Sequence, residues 1–210
     1  MPELISHETG RSYPAIALEV AGPTAMFTRP DTGVTPISYP VPTYSAAKGM
    51  FEAILRRTNI YIQPTRVEIC KPIRYERYVT NYGGPLRGSA KISGKNNYQL
   101  IATILVDVLY RIYAVVKEKK RSGQRKMDYA GKFKEEFDRR LENGQTFYTP
   151  CLGWKEFVPS YVGPFRLETK PDENVKMTIP SLLYSMWERR RLRPTFQQTV
   201  EVEAGVMFYE

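Results

Sequence analysis

Strand-like and helix-like patterns follow one another along the first 157 residues in an order that few folds share. Alternation of apolar and polar residues predicts strands, and apolar residues one turn apart predict helices. The predicted elements are a strand at 15–22, a helix at 43–57, a strand at 60–73, a helix at 128–143 and a strand at 147–158. Residues 100–117 could form a buried strand or a helix, and their β-branched residues favour a long strand. The order β-α-β-β-α-β is that of a ferredoxin-like (RRM-like) domain, an α+β fold whose open sheet can bind single-stranded RNA.

The rest of the chain has a different character. Prolines interrupt it repeatedly after residue 157, and the pieces between them are short and strand-like. We therefore expect a small C-terminal antiparallel β-sheet packed on the first domain. The predicted domains are residues 1–157, which include a basic, glycine-rich loop or hairpin at 74–99, and residues 158–210.

The start of the first predicted helix is the strongest local signal for a site. Pro40 and Pro42 keep the preceding segment extended, and Thr43 is a good N-cap. Tyr44 and Lys48 then lie one turn apart, near the positive end of the helix. A phosphate could be held at this position.

The charge of the chain points to a polyanionic partner. The chain has 31 lysines and arginines against 22 aspartates and glutamates, a formal net charge of +9, and it contains 15 tyrosines on which bases could stack. Solvated loops are the simpler explanation of any single basic run, and many tyrosines belong in strands. The candidate RNA-binding residues are Lys48, Arg29, Arg74, Arg77, Lys119, Lys120, Arg121, Arg125 and Lys126.

Several kinds of chemistry are not indicated. His7 is the only histidine, and Cys70 and Cys151 are too far apart in sequence to form a metal-ligand motif, so we expect reduced thiols, no metal and no cofactor. Glycines do not have the spacing of a nucleotide-binding loop. No apolar run is long enough for a membrane span, and the first residues lack a secretory signal, which predicts a cytoplasmic protein.

Six short ranges of the chain resemble one known family. Residues 27–30 and 38–54, then 67–73, then 131–140, 144–147 and 150–157 are similar, in this order, to the CRISPR-associated Cas-five family of subtype I-C (Cas-five-d). The resemblance covers most of residues 15–165. It implies a ferredoxin-like domain with a small C-terminal sheet, in a protein that binds the 5′ handle of CRISPR RNA within the Cascade complex. Implied partners are Cas-seven-type backbone subunits, a large Cas-eight-type subunit and target DNA.

The resemblance also implies an endoribonuclease that cuts the repeat of the precursor RNA without a metal. The ribose 2′-hydroxyl would attack its own phosphate, leaving a 2′,3′-cyclic phosphate and a 5′-hydroxyl. The family pattern places a tyrosine in the first helix and a Lys-His pair at the start of the second. In this chain these positions are Tyr44, Lys132 and Phe133. Phenylalanine cannot transfer a proton, and a tyrosine with its ordinary pKa of about 10 is a poor base near neutral pH.

Two alternatives to a nuclease stay open. Tyr44 and Lys132 could bind RNA without cutting it, in a purely structural subunit that relies on another nuclease. The chain could also be a general RRM-like RNA-binding protein. Phe133 is in register with Phe137 and Leu141, so we expect it in the core.

Overall fold

A computed structural model of the chain describes residues 4–5, 12–82, 98–119, 128–188 and 191–209. Four of the predicted RNA-binding residues, Lys120, Arg121, Arg125 and Lys126, lie outside the described residues, as does the middle of the predicted 74–99 hairpin.

The described elements follow the predicted order closely. The strands are β1 Leu4–Ile5, β2 Ser12–Tyr13, β3 Ala15–Ala25, β4 Ile60–Ile69, β5 Tyr75–Tyr82, β6 Tyr98–Glu118, β7 Tyr161–Gly163, β8 Met177–Glu188, β9 Arg191–Glu203 and β10 Val206–Phe208. The helices are α1 Tyr44–Ile54 and α2 Tyr129–Glu142. The flanks of the loop or hairpin predicted at 74–99 lie in β5 and β6, which pair antiparallel.

Four strands and two helices make the ferredoxin-like unit. The strands lie in the order β7-β3-β6-β4, and each neighbouring pair is antiparallel. Helix α1 connects β3 to β4, and α2 connects β6 to β7. The predicted α+β, ferredoxin-like fold is confirmed.

The C-terminal strands extend the same sheet. β10 pairs with β4 through Met207 and Val67, and β9 and β8 follow it outward. A small C-terminal antiparallel sheet is therefore present, and it is joined to the first sheet edge to edge. That residues 1–157 and 158–210 fold as separate units stays a prediction.

The helices bury one face each against the sheet. In α1 the buried side chains include Tyr44, Ala47, Met50, Phe51 and Ile54, and in α2 they are Ala130, Phe133, Phe137 and Leu141. The rings of Phe51 and Phe137 meet with their centroids 5.8 Å apart. This contact holds the two helices side by side over one common core.

The prediction of a strand at 147–158 is wrong. These residues form turns and irregular backbone, and the fourth strand of the unit is the three-residue β7. Leu152 and Phe157 are both buried, and the Leu152 N–H donates to the Phe157 carbonyl at 2.8 Å. Gly153 permits this turn because its φ is +93° and an added Cβ would lie 1.8 Å from the Met26 carbonyl oxygen. The apolar residues that suggested a strand thus reach the core from a loop.

The open sheet expected for RNA binding is covered at its centre. Glu19 of β3 is fully buried, and the segment that follows β7 lies against it. Its carboxylate accepts hydrogen bonds from the Arg166 backbone N–H at 3.1 Å, the Arg166 side chain at 2.5 Å and the Thr169 hydroxyl at 3.1 Å. Arg111 of β6 donates to the same carboxylate at 3.3 Å and to the Arg166 carbonyl at 2.7 Å. Segment 164–169 therefore occupies a part of the sheet face that an RRM-like protein would offer to RNA.

Candidate RNA-binding site at the start of α1

Helix α1 begins as the sequence predicts. The Thr43 side chain accepts a hydrogen bond from the Ala46 N–H at 3.2 Å and thus caps the first turn. No acidic residue lies in that turn. The positive end of the α1 dipole is consequently not neutralised by a carboxylate of its own helix.

Tyr44 points into the protein rather than into solvent. Its exposed fraction is 4%. Its ring stacks on Tyr184 of β8 at a centroid distance of 4.0 Å and meets Tyr209 edge-on at 5.7 Å. Its hydroxyl is hydrogen-bonded to the Tyr61 hydroxyl at 2.9 Å. Burial, and then the neighbouring hydroxyls of Tyr184 and Tyr61, raise the pKa of Tyr44 far above its ordinary value.

These contacts limit the chemistry of Tyr44. A phenol whose pKa is strongly raised stays protonated at neutral pH, so it can donate a hydrogen bond but cannot act as a general base. RNA would reach it only if the Tyr184 ring moved aside.

Lys48 shares the Tyr61 side chain with Tyr44. Its ammonium nitrogen lies 4.5 Å from the centre of the Tyr61 ring and 3.7 Å from a Glu52 carboxylate oxygen. The pair with Glu52 is partly exposed, and such i,i+4 pairs contribute only a few tenths of a kcal/mol. A phosphate can therefore compete with Glu52 for the ammonium at small cost.

The start of α2 is less suited to a phosphate than the start of α1. Two carboxylates already cap it: Asp128 accepts from the Gly131 N–H at 2.8 Å, and Glu118 accepts from the Tyr129 and Ala130 N–H groups at 2.7 and 3.1 Å. Lys132 is exposed next to this acidic cap. Phe133 is 3% exposed and belongs to the core, as predicted.

The remaining described candidates lie on other segments than Tyr44 and make contacts of their own. Arg29 makes a two-bond ion pair with Asp31, at 2.7 and 3.1 Å, which raises the pKa of the guanidinium. Arg74 and Arg77 are exposed on and beside β5. Lys119 is exposed and donates to the Thr58 carbonyl at 3.1 Å. No contact joins these residues to Tyr44 in the described part of the chain, and their RNA-binding role stays a prediction.

Sequence reasoning missed two members of the site, Tyr61 and Tyr184. Tyr61 lies 17 residues and Tyr184 lies 140 residues after Tyr44. Each looks like an ordinary strand tyrosine, and no local pattern relates either of them to α1. The Ser45 hydroxyl, which donates to the Tyr184 carbonyl at 3.0 Å, fixes β8 against the start of the helix.

Within the described ranges, no cluster of three or more histidine, cysteine, aspartate or glutamate residues could hold a metal ion. Cys70 and Cys151 are free thiols, and burial raises the pKa of Cys70 to about 12. None of the described helices is long and apolar enough to cross a membrane.

Comparison with known proteins agrees with the resemblance noted from the motifs. The profile of the Cas5d family, described as CRISPR-associated protein (Cas_Cas5), matches residues 15–208. A protein of Thermus thermophilus named CRISPR pre-crRNA endoribonuclease Cas5d is 30% identical over 172 residues, which are 81% of this chain and 72% of that protein. A protein of the same name from Mannheimia succiniciproducens is 34% identical over 157 residues, which are 68% of this chain and 69% of that protein.

A solved structure described as a CRISPR-associated protein superposes with a TM-score of 0.72 at 20% identity, covering 94% of this chain and 92% of that one. At this identity the superposition supports the fold alone. The profile match extends over nearly the whole sequence, including the C-terminal strands. The chain therefore belongs to the Cas5d family of CRISPR-associated proteins.

Proposed function

We propose that this protein binds the 5′ handle of CRISPR RNA in the cytoplasm, as a subunit of a type I-C surveillance complex, and that it also cuts the precursor repeat. The observation that carries the proposal is the family match over residues 15–208, together with two relatives that are named pre-crRNA endoribonucleases. The start of α1 supports it, because a positive helix end with no acidic residue in its first turn, Lys48 and three phenols meet there.

The proposed cut is an internal transfer. The 2′-oxygen bonds to phosphorus while the bond from phosphorus to the 5′-oxygen breaks, so one proton passes from the 2′-hydroxyl to solvent water and another passes from water to the 5′-oxygen. Lys48 and Lys132 would stabilise the extra negative charge on the phosphoryl oxygens. Tyr44 would donate a hydrogen bond to one of these oxygens after Tyr184 moves aside, since its raised pKa keeps the phenol protonated.

A non-catalytic subunit is the second candidate, and two observations favour it. Phe133 occupies the core at the position where the family pattern has a histidine. Tyr44 is covered by the ring of Tyr184. In that case the same residues would hold the RNA handle, and another nuclease would produce it.

One assay separates the two candidates. Purified protein is incubated in EDTA with its cognate repeat RNA and with the same RNA carrying a 2′-deoxy sugar at the cut. The nuclease predicts a single cut with a cyclic phosphate end in the first RNA and none in the second. The variants Tyr44→Phe and Lys132→Ala should slow the cut at least tenfold, whereas Lys176→Ala, which changes an exposed lysine outside the site, should not.

Intact repeat RNA that is nevertheless bound tightly would establish the non-catalytic subunit. The assembly is tested by affinity purification from cells that express the whole CRISPR locus. Co-purification with CRISPR RNA, Cas-seven-type backbone subunits and a large Cas-eight-type subunit, in a complex that binds target DNA, supports the proposal. Recovery with unrelated RNA alone would favour a general RRM-like RNA-binding protein.

A further inference from the structure

Two adjacent aromatic rings project from the loop that follows α2. Phe147 is 60% exposed and Tyr148 is 41% exposed, and their ring centroids lie 5.8 Å apart at an interplanar angle of 68°. Single exposed apolar residues are common on protein surfaces, but a pair of adjoining rings is a compact apolar surface that calls for a partner. We refer to these two residues as the aromatic platform.

The platform is held firmly against α1. The backbone N–H groups of Phe147 and Tyr148 both donate to the Ala53 carbonyl, at 2.7 and 3.3 Å. The Tyr148 hydroxyl donates to the Gly49 carbonyl at 3.2 Å. A ring that is fixed before binding loses little conformational freedom when a ligand stacks on it.

The surroundings of the platform are charged. Burial raises the pKa of Tyr148, the Glu52 carboxylate raises it further, and the Arg56 guanidinium lowers it, so both charged groups lie within electrostatic reach of this ring. Arg56 is exposed. Arg140 donates to the Ile54 carbonyl at 2.8 Å, one residue after the Ala53 carbonyl that holds the platform, and it also pairs with Glu136. Cations beside exposed rings are the arrangement that single-stranded nucleic acid binds, with bases on the rings and phosphates on the cations.

Gly49 connects the platform to the start of α1. It follows Lys48 in the helix, and a Cβ built on it would meet nothing within 4 Å. The helix surface at Gly49 itself therefore has room for an added group. An RNA strand bound at the start of α1 meets no side chain at this position.

We propose that the aromatic platform stacks one or two bases of the RNA strand that leaves the α1 site, while Arg56 holds the adjoining phosphate. This inference rests on the proposed function and extends the RNA-binding surface at the start of α1 to a second face of that helix. RNA fits better than a protein partner because Tyr148 is bonded to Gly49, the residue after Lys48, and lies within electrostatic reach of Arg56, in a chain whose net charge is +9.

The test measures the affinity of full-length variants for fluorescein-labelled repeat RNA by anisotropy at fixed salt. Loss of one stacked base weakens binding by about fivefold or more, so Phe147→Ala and Tyr148→Ala should each weaken binding at least fivefold. Phe208→Ala is the matched control, because this phenylalanine is 61% exposed but lies in β10. It should bind like the wild type.

A second variant guards against misfolding. Gly49→Gln replaces a helical glycine with a better helix former where space is open, so its melting temperature should equal or exceed that of the wild type. Its side chain would nevertheless obstruct the path, so RNA binding should weaken at least fivefold. Gly49→Ala should bind nearly normally.

The outcomes separate this inference from the proposed function. Wild-type affinity in all platform and Gly49 variants, combined with weaker binding by Lys48→Ala, overturns the platform and leaves the proposed function standing. Normal RNA affinity with failed assembly onto the backbone subunits would show that the platform is a protein interface, which also overturns the inference. If the wild-type protein does not bind repeat RNA, both proposals are wrong.

Discussion

Replacing Glu19 by glutamine should destabilise this protein more than any other carboxylate-to-amide change among the described ion pairs. Glu19 is fully buried and pairs with two arginines, Arg111 and Arg166, whose side chains are 14% and 38% exposed. Removing one partner of a buried ion pair costs about 3–5 kcal/mol, because the remaining charge is left without compensation. The ion pair between Glu19 and Arg166 is partly screened by solvent, and a glutamine side chain can still accept one hydrogen bond. We therefore expect a loss of about 3 kcal/mol, at the lower end of that range.

The assay is urea unfolding at pH 7, with thermal unfolding as a second measurement. For a chain of this size, about 3 kcal/mol corresponds to a fall in melting temperature of roughly 6–12 °C. Asp31→Asn is the matched control, because it makes the same chemical change in the exposed Arg29 pair and should cost less than about 1 kcal/mol. A Glu19→Gln loss no larger than that of the control would refute the buried-pair reasoning.

The same substitution should alter the dependence of stability on pH. The hydrogen bonds from Arg166, Arg111 and Thr169 outweigh the burial of the Glu19 carboxylate and lower its pKa below the ordinary 4.5. A lowered folded-state pKa means that the ionised group stabilises the fold above about pH 4.5, and that this contribution is lost as the pH falls through the folded-state value. The difference between wild type and Glu19→Gln should thus shrink in acid. A difference that stays constant down to pH 3 contradicts this assignment.

Three further predictions follow from the helices and the site. Phe133→His introduces the histidine that the family resemblance implies at this position. It should lower the free energy of unfolding by about 3 kcal/mol and leave repeat cleavage in EDTA no faster, because the imidazole would enter the core. An unchanged melting temperature with faster cleavage contradicts this. Thr43→Ala should cost about 1 kcal/mol in urea unfolding through loss of the α1 cap, and Thr43→Ser should restore most of it. If the protein cleaves RNA, the cleavage rates of the wild type and of Tyr44→Phe should depend on pH in the same way between pH 7 and 9, because Tyr44 stays protonated there. A rise in rate that only the wild type shows would contradict this.

Local sequence signals predicted most of the regular structure. Thr43 and Asp128 mark the helix starts, and the β-branched run at 100–117 became the central strand β6. These signals work because capping and side-chain periodicity act over a few neighbouring residues. The predicted strand at 147–158 failed because apolar residues in a packed loop can produce the same alternation as a strand. Only the three-dimensional arrangement distinguishes the two.

The candidate site was likewise predictable from the sequence only in part. The sequence alone placed Tyr44 and Lys48 one turn apart and predicted Phe133 as a core residue, which the structure confirms. It proposed Lys132 as a site residue and, through the resemblance, a histidine position that Phe133 fills. It also determined the family to which the chain belongs. It could not show that Tyr44 is buried and protonated, since the groups responsible, Tyr61 and Tyr184, come from distant strands.

Only the tertiary structure decided which surfaces are open to RNA. It brought Arg166 and Thr169 over Glu19, which covers part of the predicted RNA-binding face of the sheet, and it left the Phe147–Tyr148 platform exposed beside α1. The physical reason is that burial and hydrogen bonding between distant segments depend on how the whole chain packs. Composition and local pattern determine the elements and the charge of this protein, whereas the packing of those elements determines which side chains a ligand can reach.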